Sequence, residues 1–165
     1  MRESYQTARL KLDRLNPLDA EFIFQLLNTE GWLKFIGDRN IRSTEDARNY
    51  VQKTVANPKI IYWVVRSRKE NLSLGMISFI KRDYLDDHDI GFAFLPEFSG
   101  KGYALEAARM VLDDLLDDPN HHIILATTMM ENRNSIRLLE KLGFHFIKEI
   151  EPDGKKLLLY SITGR

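Results

Sequence analysis

Two glycines, Gly100 and Gly102, lie between an apolar run at residues 90–95 and a helical pattern at residues 104–116. The first N–H groups of a helix have no partner inside the helix, and the helix dipole adds partial positive charge at that end. Because glycine has no Cβ, an anion can approach this main chain closely. The spacing therefore predicts a phosphate-binding turn, and the alternative is a tight turn that binds nothing.

Two familiar phosphate loops do not fit this turn. A P-loop requires Ser or Thr directly after its Gly-Lys pair, whereas Gly102 follows Lys101. A dinucleotide fingerprint requires a third small residue at the position where this chain has Leu105. We therefore expect an anion site of another kind, built from main-chain groups.

A second pair of polar residues, Asn132 and Ser135, begins a helical pattern after a strand-like run at residues 123–129. Either side chain is suited to hydrogen bonding with a ligand. Either is also a good N-terminal cap for a helix, which is the alternative role. The pattern ends at Gly143, and Phe144 is expected in the core.

Taken together, the two segments resemble the GNAT superfamily of acyl-CoA N-acyltransferases. The likeness is carried by the run Ser99-Gly100-Lys101-Gly102-Tyr103-Ala104 and by the spaced set Asn132, Ser135, Leu138, Gly143 and Phe144. Within the superfamily, the chain looks most like the ribosomal-protein-alanine N-acetyltransferases, because Thr7 to Leu12 and Ser43 to Ala47 fit that branch. The resemblance implies an N-acetyltransferase that uses acetyl-CoA as co-substrate.

The resemblance also implies where CoA binds. Main-chain N–H groups from Gly100 to Ala104 would hold the pyrophosphate. Main-chain groups of Phe94 and Leu95 would pair with the peptide-like pantetheine arm, as an added strand pairs with a sheet edge. Asn132 would bond the same arm.

Three side chains of the loop are expected at this site. Ser99 stands where the family usually has Gln or Arg, and its lack of charge implies weaker CoA binding. Lys101 would add a positive charge, with plain solvent exposure as its alternative. Tyr103 would line the site, with packing as its alternative.

The candidate catalytic residues are Ser135, whose role the resemblance implies, and Asp89, which leads the strand that enters the site. Ser135 would protonate the leaving thiolate, directly or through water, with help from solvent alone as the alternative. Many GNAT enzymes use a tyrosine seven residues after the asparagine, but that position is Leu139 here. Asp89 is the candidate base, and a polar loop at a strand start is its alternative role. A modest base suffices because an N-terminal amine has a pKa near 8.

The acceptor groove in this fold is generally built around the segment between the first two helices. Here that segment contains Trp32, Phe35 and Arg39, which are the candidate substrate-binding residues, and core packing explains the two aromatic residues equally well. A protein N-terminal α-amine is the leading acceptor. A small amine (a polyamine, an amino acid or an aminoglycoside), a non-catalytic acyl-CoA sensor and a fold-only match without a CoA site stay open.

Composition is consistent with this interpretation. The 165 residues include 24 basic and 24 acidic side chains, which disfavours a nucleic-acid partner bound by a basic field. No cysteine is present, so the likeliest covalent acyl carrier is absent and direct attack on the thioester is expected. Four scattered histidines predict no metal site. No signal peptide or membrane span is evident, so we expect a cytoplasmic location and no membrane partner. A homodimer stays open.

The order of elements predicts one α/β domain over residues 1–165, with three layers, a mixed and mostly antiparallel sheet of about seven strands, and helices on both faces. The resemblance implies that strands 89–95 and 123–129 splay apart at its centre. The remaining strands are predicted at 8–14, 60–66, 72–80, 144–150 and 156–162. Helices are predicted to begin at Asn16-Pro17, at Ser43, after Gly100 and at Ser135. Residues 30–40 are interpreted as a connecting loop.

Overall fold

The computed structural model describes residues 1–164 and contains one eight-stranded mixed sheet. The strands are β1 (Ser4–Gln6), β2 (Leu10–Arg14), β3 (Ile60–Ser67), β4 (Ser73–Ile80), β5 (Asp89–Phe94), β6 (Ile123–Thr128), β7 (His145–Ile150) and β8 (Leu157–Thr163). Their spatial order is β1-β2-β3-β4-β5-β6-β8-β7. All neighbours are antiparallel except β5 and β6, which are parallel.

Five α-helices cover the sheet; the predicted start signals at Asn16 and Ser43 are used, whereas the last helix begins at Arg133, two residues before the predicted Ser135. The helices are α1 (Ala20–Leu27), α2 (Glu30–Phe35), α3 (Thr44–Ala56), α4 (Tyr103–Leu116) and α5 (Arg133–Leu142). Asn16 caps a short 3-10 turn that leads into α1, because its side chain accepts the N–H of Leu18 at 2.9 Å. Ser43 caps α3 by accepting the N–H of Asp46 at 3.0 Å. Among residues 1–164, no helix combines the length and the apolar character needed to cross a membrane.

The helices form two layers with the sheet between them. Consecutive residues of β3 belong to different cores, because side chains alternate across a strand. Val64 packs with α1, α2 and α3, in a core that includes Ile23, Leu26, Trp32, Val51 and Met76. Trp63 packs with α4 and α5, in a core that includes Ile77, Phe79, Leu112, Leu115 and Leu139.

The sheet is split at its centre. Strands β5 and β6 share one register pair, Asp89 with Leu125, where the Leu125 N–H donates to the His88 carbonyl at 2.9 Å. Beyond that pair the two strands separate toward their carboxyl ends, and α4 and α5 begin at that end of the gap.

The predicted fold class, a three-layer α/β domain with a splayed mixed sheet, is confirmed, with eight strands instead of about seven. The additional strand is β1, whose Tyr5 packs edge-on against Trp63 with ring centroids 5.7 Å apart. Residues 30–35 form α2, capped by Thr29, where a connecting loop was predicted. Both elements are too short for a periodic pattern to show in the sequence, and tertiary contacts stabilise them.

Candidate active site

The start of α4 leaves a row of main-chain donors free. Gly100 and Gly102 have φ of +73° and +79°, a region that glycine adopts without strain, and Gly102 occupies the cap position with no side chain to fill it. The first N–H bonded into the helix is that of Glu106, which donates to the Gly102 carbonyl at 3.1 Å. The N–H groups of residues 100–105 make no hydrogen bond within residues 1–164. This is an anion site made of main chain.

Arg9 and Glu106 hold this turn from outside. The Glu106 carboxylate accepts from the Thr7 hydroxyl at 2.6 Å and from Arg9 Nε at 2.7 Å. Arg9 Nη1 donates to the Lys101 carbonyl at 3.0 Å, and its guanidinium lies 4.5 Å from the centre of the Tyr103 ring. Burial opposes ionisation of Glu106, but these hydrogen bonds outweigh it and lower the pKa of Glu106 below its ordinary value. The turn is therefore tied to the connection between β1 and β2.

The other loop residues lie at the surface. Ser99 and Lys101 are exposed, and the Lys101 ammonium is 5.8 Å from the centre of the Phe98 ring. Tyr103 is half-buried and packs beneath Arg9, and its role in lining the site stays a prediction. The loop places all three residues beside the free N–H groups.

The edge of β5 that faces the gap offers further main-chain groups. Antiparallel pairing alternates, and the Leu95 N–H donates to the Leu74 carbonyl on β4 at 2.9 Å. Main-chain groups of Ile90, Phe92 and Phe94 are therefore directed at β6, across the gap. Leu95 also accepts the Phe98 N–H at 3.0 Å, so its main-chain groups are already used within the protein. Of the two residues expected to pair with an extended ligand, Phe94 presents free groups and Leu95 does not.

The start of α5 is capped by the side chain of Asn132. Asn132 Oδ1 accepts the Ser135 N–H at 3.2 Å, so Asn132 is the helix cap. Within residues 1–164, the Asn132 amide N–H₂ group and the Ser135 hydroxyl make no hydrogen bond, and both residues are half-buried. Leu139 is buried in the core, where it packs near Phe144. Capping therefore accounts for one oxygen of Asn132, while the amide and the hydroxyl stay available to a ligand.

Asp89 lies at the point where the strands separate. It is 3% exposed and accepts from Arg82 Nε at 2.9 Å through Oδ2, while Oδ1 has no partner among the described residues. Burial raises the pKa of the Asp89 carboxyl, although the Arg82 charge opposes the shift. The neighbouring His88 lies on the opposite face, stacked on Phe79 with ring centroids 4.6 Å apart. No group of three or more His, Asp or Glu side chains within residues 1–164 is arranged to hold a metal.

The predicted acceptor residues divide between core and surface. Trp32 is 5% exposed and packs beneath α1 and α3, as the packing alternative predicts. Phe35 is half-buried at the end of α2, and Arg39 is exposed. Arg39 Nη1 lies 3.1 Å from the point where a Cβ on Gly37 would be, so the side chain folds back along its own loop.

Four polar residues near this segment were not found from the sequence. Lys155 Nζ donates to the carbonyls at the end of α2, at 3.4 Å to Phe35 and 3.1 Å to Ile36. The Tyr50 and Tyr62 hydroxyls are 3.3 Å apart, and Arg82 follows β4. These four residues, Tyr50, Tyr62, Arg82 and Lys155, come from separate elements, and no local motif signals that they meet.

Comparison with known proteins agrees with this geometry. Residues 9–145 match the family profile described as an acetyltransferase (GNAT) domain. The uncharacterized N-acetyltransferase YnaD of Bacillus subtilis (strain 168) is 30% identical over 155 residues, which are 91% of this chain and 89% of that protein. The spermidine N(1)-acetyltransferase of Vibrio cholerae is 24% identical, over 90% of this chain and 88% of that protein.

Solved structures show the same fold. A GNAT-family acetyltransferase from Bacillus anthracis superposes with a TM-score of 0.81 at 28% identity, covering 97% of this chain and 98% of that chain. The ribosomal-protein-S5-alanine acetyltransferase from Vibrio fischeri superposes with a TM-score of 0.82 at 20% identity, covering 98% and 96%. The predicted resemblance to the GNAT superfamily is confirmed by the profile match and by these relatives. Because the profile spans most of the sequence, this chain belongs to the GNAT family of N-acetyltransferases.

Proposed function

We propose that the chain transfers the acetyl group of acetyl-CoA directly to a primary amine, and that the acceptor is a protein N-terminal α-amine. The observation that carries the proposal is the row of free N–H groups at residues 100–105, placed at the mouth of the gap between β5 and β6. A diphosphate fits such a row, because each oxygen can accept from one or more N–H groups. An extended, amide-bearing arm fits the edge of β5 beyond it.

The residues that would hold acetyl-CoA follow from this placement. N–H groups from Gly100 to Ala104 hold the pyrophosphate, and Ser99, Lys101 and Tyr103 flank it at the surface. The main chain of Phe94, with Phe92 and Ile90 deeper in the gap, pairs with the pantetheine arm. The free amide of Asn132 bonds the same arm from the side of β6 and α5. Acetyl-CoA supplies an activated thioester.

The acyl transfer needs one base and one acid. The neutral amine attacks the thioester carbonyl, the C–N bond forms, and the C–S bond breaks with the electron pair left on sulfur. The Ser135 hydroxyl donates a proton to that sulfur and regains one from a solvent water molecule, so no alkoxide is left behind. Asp89 takes the proton from the amine through a water molecule, because its carboxylate is buried, and its raised pKa makes it a stronger base than an ordinary aspartate.

The acceptor binds on the face of the sheet covered by α1, α2 and α3. Phe35 and Arg39 provide surface groups at the entrance, and Trp32 supports them from the core. The likeness in fold to a ribosomal-protein-S5-alanine acetyltransferase supports a protein N-terminus as acceptor. The spermidine N(1)-acetyltransferase among the relatives favours a small amine as the second candidate.

The proposal is tested by acetyl-CoA binding in a calorimeter, followed by thiol release with a panel of acceptors. The panel contains peptides with a free N-terminus, the same peptides with a blocked N-terminus, spermidine, an aminoglycoside and free amino acids. Thiol release that requires the free N-terminus of a peptide is the expected result. Release with small amines alone supports the second candidate, and binding without release on any acceptor indicates an acyl-CoA-binding module. No binding contradicts the proposal.

A further inference from the structure

Three cationic side chains from three separate segments lie near one another, and two of them are at the end of α2. Lys155, on the turn between β7 and β8, donates to the carbonyls of Phe35 and Ile36. Arg39 folds back over Gly37, the residue that follows Ile36. Its guanidinium therefore lies close to the main chain that Lys155 contacts. The third cation is Arg82, described below. We name Arg39, Arg82 and Lys155 the cationic wall.

Arg82 joins the wall from the end of β4. With Pro152 and Asp153 of the turn between β7 and β8, Arg82 lines a cavity of about 650 Å³. The same turn leads directly to Lys155, which brings the two cations to one side of the acceptor face. Burial lowers the pKa of Lys155, and the nearby positive charges of Arg39 and Arg82 lower it further.

Two of the three cations in the wall have no salt-bridge partner among the described residues. Among residues 1–164, Arg39 and Lys155 form no salt bridge, and Asp89 is the one carboxylate that Arg82 pairs with. That bond uses Nε of Arg82, so its two terminal nitrogens can still donate. Asp153 lines the cavity but is exposed and makes no salt bridge in the described residues. Cations that lie close together repel one another, and a bound anion would offset this repulsion. The wall is therefore suited to an anionic ligand.

Neutral donors stand beside the wall. Tyr62 is near both Arg39 and Arg82, and its hydroxyl lies 3.3 Å from that of Tyr50. Burial raises the pKa of Tyr62, so the phenol stays protonated and can donate a hydrogen bond. Two phenols and three cations make a donor-rich surface, which complements the acceptor oxygens of a carboxylate.

We infer that the acceptor amine carries a carboxylate a few bonds away, and that the cationic wall binds this carboxylate during acetyl transfer. The inference rests on the proposed function and narrows its substrate class. Arg82 is bonded to Asp89, at the point where β5 and β6 separate, so a carboxylate on Arg82 places the neighbouring amine beside the gap. Two sources have this chemistry, a free α-amino acid and a peptide N-terminus followed by an acidic residue. A polyamine brings only positive charge, and the wall repels it.

Matched acceptor pairs test the inference. The free amino acid source is tested with alanine against alaninamide, and the peptide source with Ala-Glu-Ala-Ala amide against Ala-Gln-Ala-Ala amide. The measured quantity is kcat/KM for thiol release. We expect the carboxylate member of one pair to be preferred by about tenfold or more, because charge-assisted hydrogen bonds at partly buried sites have that strength. The pair that shows the preference identifies the source.

Variants that remove single cations test whether the cationic wall causes the preference for carboxylate-bearing acceptors. Lys155→Gln is expected to reduce the preference to less than about threefold while the affinity for acetyl-CoA stays unchanged. Since Lys155 also ties the turn to α2, Arg39→Gln provides a second variant in an exposed loop, with the same expected result. The matched control is Lys156→Gln, which changes the charge equally at an exposed position on the same turn and should keep the preference.

A binding measurement separates this inference from the proposed function. The N-acetylated products of the same pairs are titrated calorimetrically into the protein with CoA present, which requires no turnover. Tighter binding of the carboxylate product, lost in Lys155→Gln and Arg39→Gln, supports the wall even if no acceptor releases thiol. Equal binding of the two products, or better turnover of spermidine than of any carboxylate acceptor, overturns the inference and leaves acetyl transfer standing. A preference that survives both variants also overturns it.

Discussion

The two helices that begin at the mouth of the gap start in opposite ways. Helix α4 starts at Gly102, which has no side chain, and the N–H groups of residues 100–105 are free. Helix α5 starts at Asn132, whose side chain accepts the Ser135 N–H. A missing cap costs a helix about 1 kcal/mol. Helix α4 has no side-chain cap, and its free N–H groups face the proposed diphosphate. Helix α5 has a side-chain cap, and the proposed ligand beside it is the neutral amide chain of pantetheine.

The two helix starts would therefore recognise ligands through different groups, the main chain at α4 and side chains at α5. At α4, recognition comes from peptide groups, so glycine at the turn matters more than the identity of Ser99 or Lys101. At α5, the main chain is already satisfied, so any contribution to binding or catalysis comes from the amide of Asn132 and the hydroxyl of Ser135. Substitutions at the two helix starts should therefore have different signatures, and four of them test this comparison.

The largest effect is expected from Gly100→Trp. A Cβ at Gly100 has no heavy atom within 4 Å, so the indole extends into the space proposed for the pyrophosphate. Loss of two or more charge-assisted hydrogen bonds should weaken acetyl-CoA binding by about 1,000-fold or more, measured by calorimetry. Gly154→Trp is the matched control, because Gly154 also has positive φ and open surroundings. Equal acetyl-CoA affinity in both variants would show that the turn at α4 does not bind the ligand.

The next effect is expected at α5 from Ser135→Ala. The Ser135 hydroxyl makes no hydrogen bond within residues 1–164, so its removal should leave the melting temperature unchanged. Without the proposed acid, kcat should fall by about 100-fold, whereas acetyl-CoA affinity should not change. Ser135→Thr keeps a hydroxyl and should restore most of the turnover. An unchanged kcat in Ser135→Ala would mean that solvent protonates the thiolate.

A smaller effect is expected from Asn132→Asp. Aspartate keeps the oxygen that caps α5 but lacks the amide N–H₂ group. The helix should stay intact by circular dichroism, and acetyl-CoA should bind about tenfold more weakly because one hydrogen bond to the pantetheine arm is lost. Unchanged affinity would limit Asn132 to its capping role and would make the start of α5 purely structural.

The smallest effect is expected from Glu106→Gln, which loosens the outer support of the α4 turn. Loss of the charged bonds to Thr7 and Arg9 should lower the free energy of unfolding at pH 7 by about 1 kcal/mol. The pKa of Glu106 is lowered in the folded protein, so its contribution is present above the ordinary value of 4.5 and is lost as the pH falls through the folded value. The difference between the variant and the parent should therefore disappear in acid.

Denaturant titrations at several pH values measure this difference. Glu97→Gln removes an exposed carboxylate from the same loop and is the matched control. If Glu97→Gln lowers the free energy of unfolding as much as Glu106→Gln does, the change comes from the loss of a negative charge. It would then not come from the bonds of Glu106 to Thr7 and Arg9.

The sequence predicted the elements that recur and the signals that are local. Strand alternation, the caps Asn16 and Ser43, and the glycines that begin α4 are all visible within a few residues. The folded chain places Gly100 and Asn132 at the starts of α4 and α5, at the same end of the gap as Phe94, and their binding roles stay predictions. Phe144 is in the core, as expected.

The sequence could not predict what depends on distant partners. Leu95 was expected to offer its main chain to the ligand, but the register of β4 and β5 directs its N–H to Leu74 instead. The cationic wall comes from positions 39, 82 and 155, which have no common spacing or motif. Nor does any local pattern show that Asp89 is paired with Arg82. Only the three-dimensional arrangement reveals these relations.

The split in the sheet has a consequence for how the protein responds to its own substrate. Five strands, β1 to β5, and three strands, β6 to β8, are joined across the sheet by the single register pair of Asp89 and Leu125. A pantetheine arm with hydrogen bonds to both β5 and β6 would connect the two halves of the sheet. A ligand that binds only the folded state stabilises it by about 2.7 kcal/mol at a hundredfold excess over its Kd. The resistance of this protein to unfolding would therefore rise and fall with the supply of CoA around it.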